Sequence, residues 1–186
     1  MILPIYAYGQ PVLKRVAEPI GPDYPDLEQF IADMWETMDE ADGVGLAAPQ
    51  VGRSIRLFVI DSRLMYKDEE GVENPGIRRC FINAEIIEEA GDDVPYSEGC
   101  LSIPDVNGDV DRPEEITMTY QDEQFQTHTE TFDGMTARVI QHEYDHIDGI
   151  LFTEYLSPLK KRMLKRRLEK IRKGDVETKY RMKFVR

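Results

Sequence analysis

Gly134-Met135-Thr136-Ala137-Arg138-Val139-Ile140-Gln141-His142-Glu143-Tyr144-Asp145-His146 decides the reading of this chain. Ala137, Val139, Ile140, Tyr144 and Ile147 spread apolar groups around most of a helix, and a helix apolar on most sides is buried. Gly149 closes it. The run ends in an H-E-x-x-H pentad. Residues four apart on a helix lie one above the other, so His142 and His146 can present two imidazoles to one metal ion. Glu143, beside the first histidine, can hold a water next to that metal. This is the pattern of metal-assisted hydrolysis. The chain has three histidines, and two of them are here.

Working outward, residues 26–41 read as a helix. Leu27, Phe30, Ile31, Met34 and Met38 repeat at helical spacing, and Asp42-Gly43 ends it. Residues 56–60 are an apolar run of the buried-strand kind. Residues 62–79 are polar and contain Gly71, Pro75 and Gly76, so a long surface loop is expected there. Residues 81–87 are β-like. Residues 116–120 and 126–132 alternate around a connection carrying Asp122-Glu123, which predicts a hairpin. Residues 158–173 predict a strongly basic helix ended by Gly174, and 175–185 a candidate last strand. No internal repeat or low-complexity linker appears. The class is α+β: antiparallel β-strands packed around a central metal-binding helix, with a basic C-terminal helix. Residues 1–157 form the catalytic part. Residues 158–186 are a basic helical extension, within the same domain or appended to it.

At 186 residues, 41% hydrophobic and 32% charged, the chain is expected to be one soluble globular domain with its own core. No apolar run approaches the roughly 18 residues of a membrane helix, and no membrane or DNA partner is expected. Met1-Ile2-Leu3-Pro4-Ile5-Tyr6 lacks the basic region and apolar core of a secretory signal. Two cysteines, Cys80 and Cys100, make no disulfide framework, so a reducing, cytoplasmic location is expected. Residues 158–186 hold 13 Lys/Arg and 3 Asp/Glu, while 1–157 hold 10 and 33. An acidic body with a basic end suggests an anionic partner for that end.

Two histidines do not complete a catalytic site, for which three protein ligands and an open position are usual. Peptidases with this pentad take the third from downstream. Glu154, Glu169 and Glu177 follow it, and no histidine does. Upstream, Cys100 stands in Glu98-Gly99-Cys100-Leu101-Ser102, and a thiolate is a strong ligand for zinc or ferrous iron. A lone cysteine is more often a small buried hydrophobe, the role expected of Cys80. A third stretch, Gly43-Val44-Gly45-Leu46-Ala47-Ala48-Pro49-Gln50, has two glycines that permit close backbone approach and a Gln50 amide suited to an oxyanion. Alone it reads more readily as a helix C-cap and tight turn.

Together, the three stretches closely resemble the peptide deformylase family, which carries G-x-G-x-A-A-x-Q, E-G-C-x-S and H-E-x-D-H in this order. The resemblance extends to residues 5–13 and to Arg138-Val139-Ile140-Gln141, and spans about residues 2–156. One departure is visible: Asp105 stands where the family commonly has Gly, in the turn after the cysteine motif. The 62–79 loop is also longer than in compact members.

The resemblance implies removal of the formyl group from N-formylmethionyl nascent peptides, with release of formate, in a bacterial cytoplasm. It implies one divalent metal on Cys100, His142 and His146: Fe2+ in the cell, with Zn2+, Ni2+ or Co2+ able to replace it. Glu143 is implied as proton carrier, Gln50 and the Leu101 N–H as oxyanion donors, and Gly43, Val44 and Gly45 as the strand that pairs with substrate. Residues near the pentad helix line the methionine pocket. Asp145 faces away from the metal and is read as an anchor for the helix through Arg112. Glu98 could steady the cysteine loop and is assigned no chemistry. His128 is expected at the surface.

Lys160, Lys161, Arg162, Lys165, Arg166, Arg167 and Lys170 stud the C-terminal helix, as a solvated face, as a contact with ribosomal RNA, or as a segment attracted to the acidic body. Three alternatives stay open. One is a metallopeptidase that cleaves internal peptide bonds with a downstream Glu ligand. The second is a hydrolase with Cys100 as nucleophile, and the third is a structural metal centre.

Overall fold

The computed structural model describes residues 1–66 and 71–185. The middle of the expected 62–79 loop, residues 67–70, lies outside the described residues. In chain order the elements are β1 (Ile5–Tyr6), α1 (Leu27–Glu40), β2 (Gly45–Ala47), β3 (Leu57–Asp61), β4 (Arg78–Cys100), β5 (Ile103–Gln121), β6 (Thr127–Asp133), α2 (Gly134–Ile147), α3 (Pro158–Lys173) and β7 (Met182–Lys183). Five strands form an antiparallel sheet in the order β2-β3-β4-β5-β6, and β1 pairs with β7 in parallel. The class is α+β.

Strand β3 explains the layering. Side chains alternate across a strand, and every residue of β3 is buried. Leu57 and Val59 pack with Phe30, Ile31, Met34 and Met38 of α1. Phe58 and Ile60 pack with Ala137, Val139 and Ile140 of α2. The sheet is therefore covered by one helix on each face. Nine of the 14 residues of α2 are buried, and these include Arg138, Gln141, Glu143 and His146. Buried polar groups need partners, and those partners build the site.

Three expectations change. The β-like stretch 81–87 is part of a 23-residue strand, and 116–120 is the end of a 19-residue strand. β4 and β5 form a long hairpin whose tip carries Cys100 and Leu101, so the cysteine motif ends a strand rather than lying in a loop. In β5, Val106, Gly108, Val110 and Arg112 are buried while Asp105, Asn107, Asp109 and Asp111 are exposed. This is period-2 alternation with the acids facing water. The candidate strand at 175–185 shrinks to Met182–Lys183, paired with β1. Helix α3 packs on the body through Ile171, fully buried in a cluster with Leu13, Val106, Val110 and Phe152.

Candidate metal centre and its cleft

The end of β4 and the C-terminal half of α2 bring Cys100, His142 and His146 together. One ligand atom from each lies within 4.8 Å of the others. Cys100 Sγ is 3.4 Å from His146 Nε2. Among the described residues no downstream glutamate joins them. Glu154 is engaged with Lys14 and the Leu151 N–H instead. A thiolate and two imidazoles suit a borderline-soft divalent cation, so these residues fit the metal that the pentad implies.

Glu98 orients the first histidine. Its Oε1 accepts from His142 Nδ1 at 2.9 Å, which leaves His142 Nε2 for a metal. A carboxylate behind a ligating histidine fixes its tautomer and ring direction. Glu98 also accepts from Arg112 Nε at 2.6 Å and Nη2 at 2.9 Å, and from Arg138 Nη1 at 2.8 Å. Burial would raise the Glu98 carboxyl, but the His142 and Arg112 hydrogen bonds outweigh it and hold it well below the usual carboxylate range. Asp145 Oδ2 accepts from Arg112 Nη1 at 2.9 Å, the ion pair read from the sequence. Burial lowers the basicity of His146. For His142 burial acts the same way, yet Cys100 and Glu98 prevail and raise it. A cation between the three ligands would take the place of that proton.

Glu143 is 4% exposed, and its Oε2 has no hydrogen-bond partner among the described residues. Burial raises its carboxyl to about 7, the range in which one group can both take and give a proton near neutrality. Gly45 makes room for it: a Cβ there would lie 2.5 Å from Glu143 Oε1. The close approach at Gly45 is therefore to a side chain, not to another backbone. At Gly43 the close neighbour is Leu101 Cδ1, 2.9 Å from where a Cβ would sit.

A cleft of about 740 Å³ is lined by Gly43, Val44, Gly45, Gln50, Cys100, Leu101, His142 and Glu143. The structure thus brings these site residues to one cavity, with His146 behind it at 1% exposure. Gln50 Oε1 accepts from the Ala47 N–H at 2.9 Å. Its Nε2 donates to Ser102 Oγ at 3.1 Å and lies 3.5 Å from Cys100 Sγ. β2 is the edge strand of the sheet. The Val44 carbonyl accepts from the Asp61 N–H at 2.8 Å, and Leu46 is paired with Val59. By the alternation of an antiparallel ladder, the N–H and C=O of Gly45 face the open edge.

Sequence reasoning missed the reach of Glu98 and gave Arg138 no role of its own. A signal was present. Period-2 alternation through residues 105–112 turns Arg112 inward, and a buried arginine requires an acid. His128 meets Asp122 Oδ2 at 2.7 Å with its side chain 38% exposed, the surface placement expected.

Known proteins agree with this geometry. The family model described as polypeptide deformylase matches residues 2–162; the tail from residue 163 lies beyond the match. A peptide deformylase of Christiangramia forsetii is 55% identical over 189 residues, covering 99% of this chain and 96% of that one. One of Cytophaga hutchinsonii is 55% identical over 184 residues, covering 99% and 98%. The crystal structure of peptide deformylase from Thermus thermophilus superposes with a TM-score of 0.81 at 39% identity, covering 94% of this chain and 99% of that one. The metallopeptidase alternative is not favoured by any of these. The chain belongs to the peptide deformylase family, metal-dependent hydrolases that remove the N-formyl group from new polypeptides.

Proposed function

We propose that Cys100 Sγ, His142 Nε2 and His146 Nε2 hold one divalent cation, and that Glu143 carries the proton in deformylation of N-formylmethionyl chains. The observation that carries this reading is the three ligand atoms within 4.8 Å of one another, in the same cleft as Glu143. A divalent cation in such a site acidifies water and polarises the carbonyl to be attacked. Glu143 takes a proton from the attacking water and delivers it to the departing amine nitrogen. The C–N bond breaks, giving formate and the free amine of methionine. As the formyl carbon becomes tetrahedral its oxygen gathers charge, and Gln50 Nε2 and the Leu101 N–H are the donors that meet it. Gly45 pairs with the substrate backbone as an added strand on the free edge of β2, flanked by Gly43 and Val44. Glu143→Gln is expected to abolish formate release while metal is retained. Substantial activity in a metal-replete variant would remove Glu143 from the proton path.

Ferrous iron is our assignment for the ion in the cell, with Zn2+, Ni2+ and Co2+ able to occupy the same donors. Metal analysis of protein purified without oxygen tests it, and iron is the expected content. The bacterial relatives and the nascent-chain substrate support action in the cytoplasm. Lys161, Arg162, Lys165, Arg166 and Lys170 are exposed on α3 and suit ribosomal RNA phosphates. Changing all five to glutamine is expected to weaken ribosome co-sedimentation and flatten its salt dependence. Unchanged co-sedimentation would make the helix a solvated face.

A further inference from the structure

The turn between β4 and β5 carries two chemical tasks at once. Cys100 is the proposed metal ligand, and the next N–H, that of Leu101, is the proposed oxyanion donor. The register of the hairpin breaks here, between Gly99 and Cys100, and Leu101 and Ser102 lie outside the ladder. A hairpin tip of this kind is among the less constrained parts of a sheet, so something else must hold it.

Three hydrogen bonds do. Gln50 Nε2 donates to Ser102 Oγ at 3.1 Å. The Tyr8 N–H donates to the Ser102 carbonyl at 2.9 Å. The Tyr180 hydroxyl donates to the Leu101 carbonyl at 2.7 Å. The first two grip Ser102, and only the third grips Leu101. Tyr180 reaches the turn from the C-terminal tail, whose residues Glu177, Thr178, Lys179 and Tyr180 line the cleft.

The tail is secured without the phenol. The Ile5 N–H donates to the Arg181 carbonyl and the Ala7 N–H to the Lys183 carbonyl, each at 2.9 Å. Thr178 Oγ1 donates to the Tyr180 carbonyl at 2.6 Å. The hydroxyl of Tyr180 is therefore free to act on the turn rather than to hold its own segment in place.

We propose that Tyr180 is a positioning residue for deformylation: from the C-terminal tail it clamps the Leu101 carbonyl and so sets the direction of the Leu101 N–H. The peptide unit between Cys100 and Leu101 is rigid and planar. The Leu101 carbonyl belongs to the next unit, Leu101–Ser102, so with Cys100 held at the end of β4 and that carbonyl held by Tyr180 the chain is pinned on both sides of the Leu101 N–H. The inference rests on the reading of Leu101 as an oxyanion donor.

Tyr180→Phe removes the hydroxyl and keeps the ring. The test is steady-state formate release from an N-formylmethionyl tripeptide by metal-loaded wild type and Y180F, with hydrogen–deuterium exchange at Leu101 and metal content measured on the same samples. The expected result is a fall in kcat of about 3- to 10-fold, the scale of one neutral hydrogen bond. KM stays within about twofold, exchange at Leu101 speeds up, and metal content is unchanged. Wild-type kcat and exchange in Y180F would overturn the proposal. So would a rise in KM at constant kcat, which would make the tail only a wall of the cleft. A wild type that releases no formate would remove the underlying reaction, whereas an active wild type with an equally active Y180F removes only the role of Tyr180.

Discussion

Glu98 on β4 joins β5 and α2, accepting from Arg112 on one and from Arg138 and His142 on the other. Glu98→Gln keeps the volume and removes the charge. It is expected to weaken metal affinity about 10- to 100-fold, the usual effect of losing a partner behind a ligand. It also leaves Arg112 and Arg138 undercompensated, with a stability loss of about 3 to 5 kcal/mol. Metal titration and denaturant unfolding check both, and wild-type values would leave Glu98 without a structural role. Glu143 carries a pH signature. Burial raises its carboxyl from 4.5 to about 7, so the metal-free folded state binds more protons than the unfolded one between these values. Its stability therefore falls as pH rises from about 4.5 to 7 and is level above. Metal-free Glu143→Gln lacks this penalty. It is expected to be more stable than wild type at pH 8 by about 1 to 3 kcal/mol and no more stable at pH 4. Parallel pH–stability curves for the two proteins would contradict the raised carboxyl.

At the scale of elements, α1 was legible from its helical apolar spacing, β3 from its short apolar run, and α2 from its pentad and the apolar groups around it. The outer half of the β4–β5 hairpin was not. Glycines and prolines at Gly91, Pro95, Gly108 and Pro113 resemble turn signals, and in the fold all four lie within the strands. Gly91 takes a φ of +79° where the register slips between Ala90 and Asp93. The acids at 105, 109 and 111 form the wet face of an alternating strand. The two candidate histidine ligands were legible from pentad spacing and Cys100 from the resemblance of its motif, whereas Glu98 and Tyr180 depend on contacts between distant elements. Asp105 shows how a local departure is absorbed. Its φ of +58° keeps the left-handed conformation that glycine favours, and its Oδ2 accepts from Arg167 of α3 at 3.1 Å. Asp105→Gly should relieve about 1 kcal/mol of backbone strain and lose an exposed ion pair of about 0 to 1 kcal/mol. The expected outcome is equal or slightly higher thermal stability, and a marked fall would give the Arg167 contact the larger role. Asp145→Ala tests the anchoring of α2 on β5. Lower stability is expected, since Arg112 loses one of its two acidic partners. Unchanged stability and metal content would contradict the anchor.

Across the whole molecule the two chain ends meet at the site. β1 and β7 pair, Tyr8 holds Ser102, and Tyr180 holds Leu101. The proposed metal centre thus lies at the tip of a long hairpin, backed by a buried helix and steadied by both terminal segments. Charge is segregated over the same body. The acidic strands face outward on the hairpin, and the cations are concentrated on α3 and the tail. The central claim is that a metal on Cys100, His142 and His146 runs the deformylation. The direct measurement is formate release from an N-formylmethionyl peptide by anaerobically iron-loaded wild type and Cys100→Ser, with metal content determined for both. The predicted result is metal-dependent release by the wild type and joint loss of iron and activity in the variant. A variant that keeps full activity without its metal, or a fully loaded wild type that releases no formate, would contradict the account.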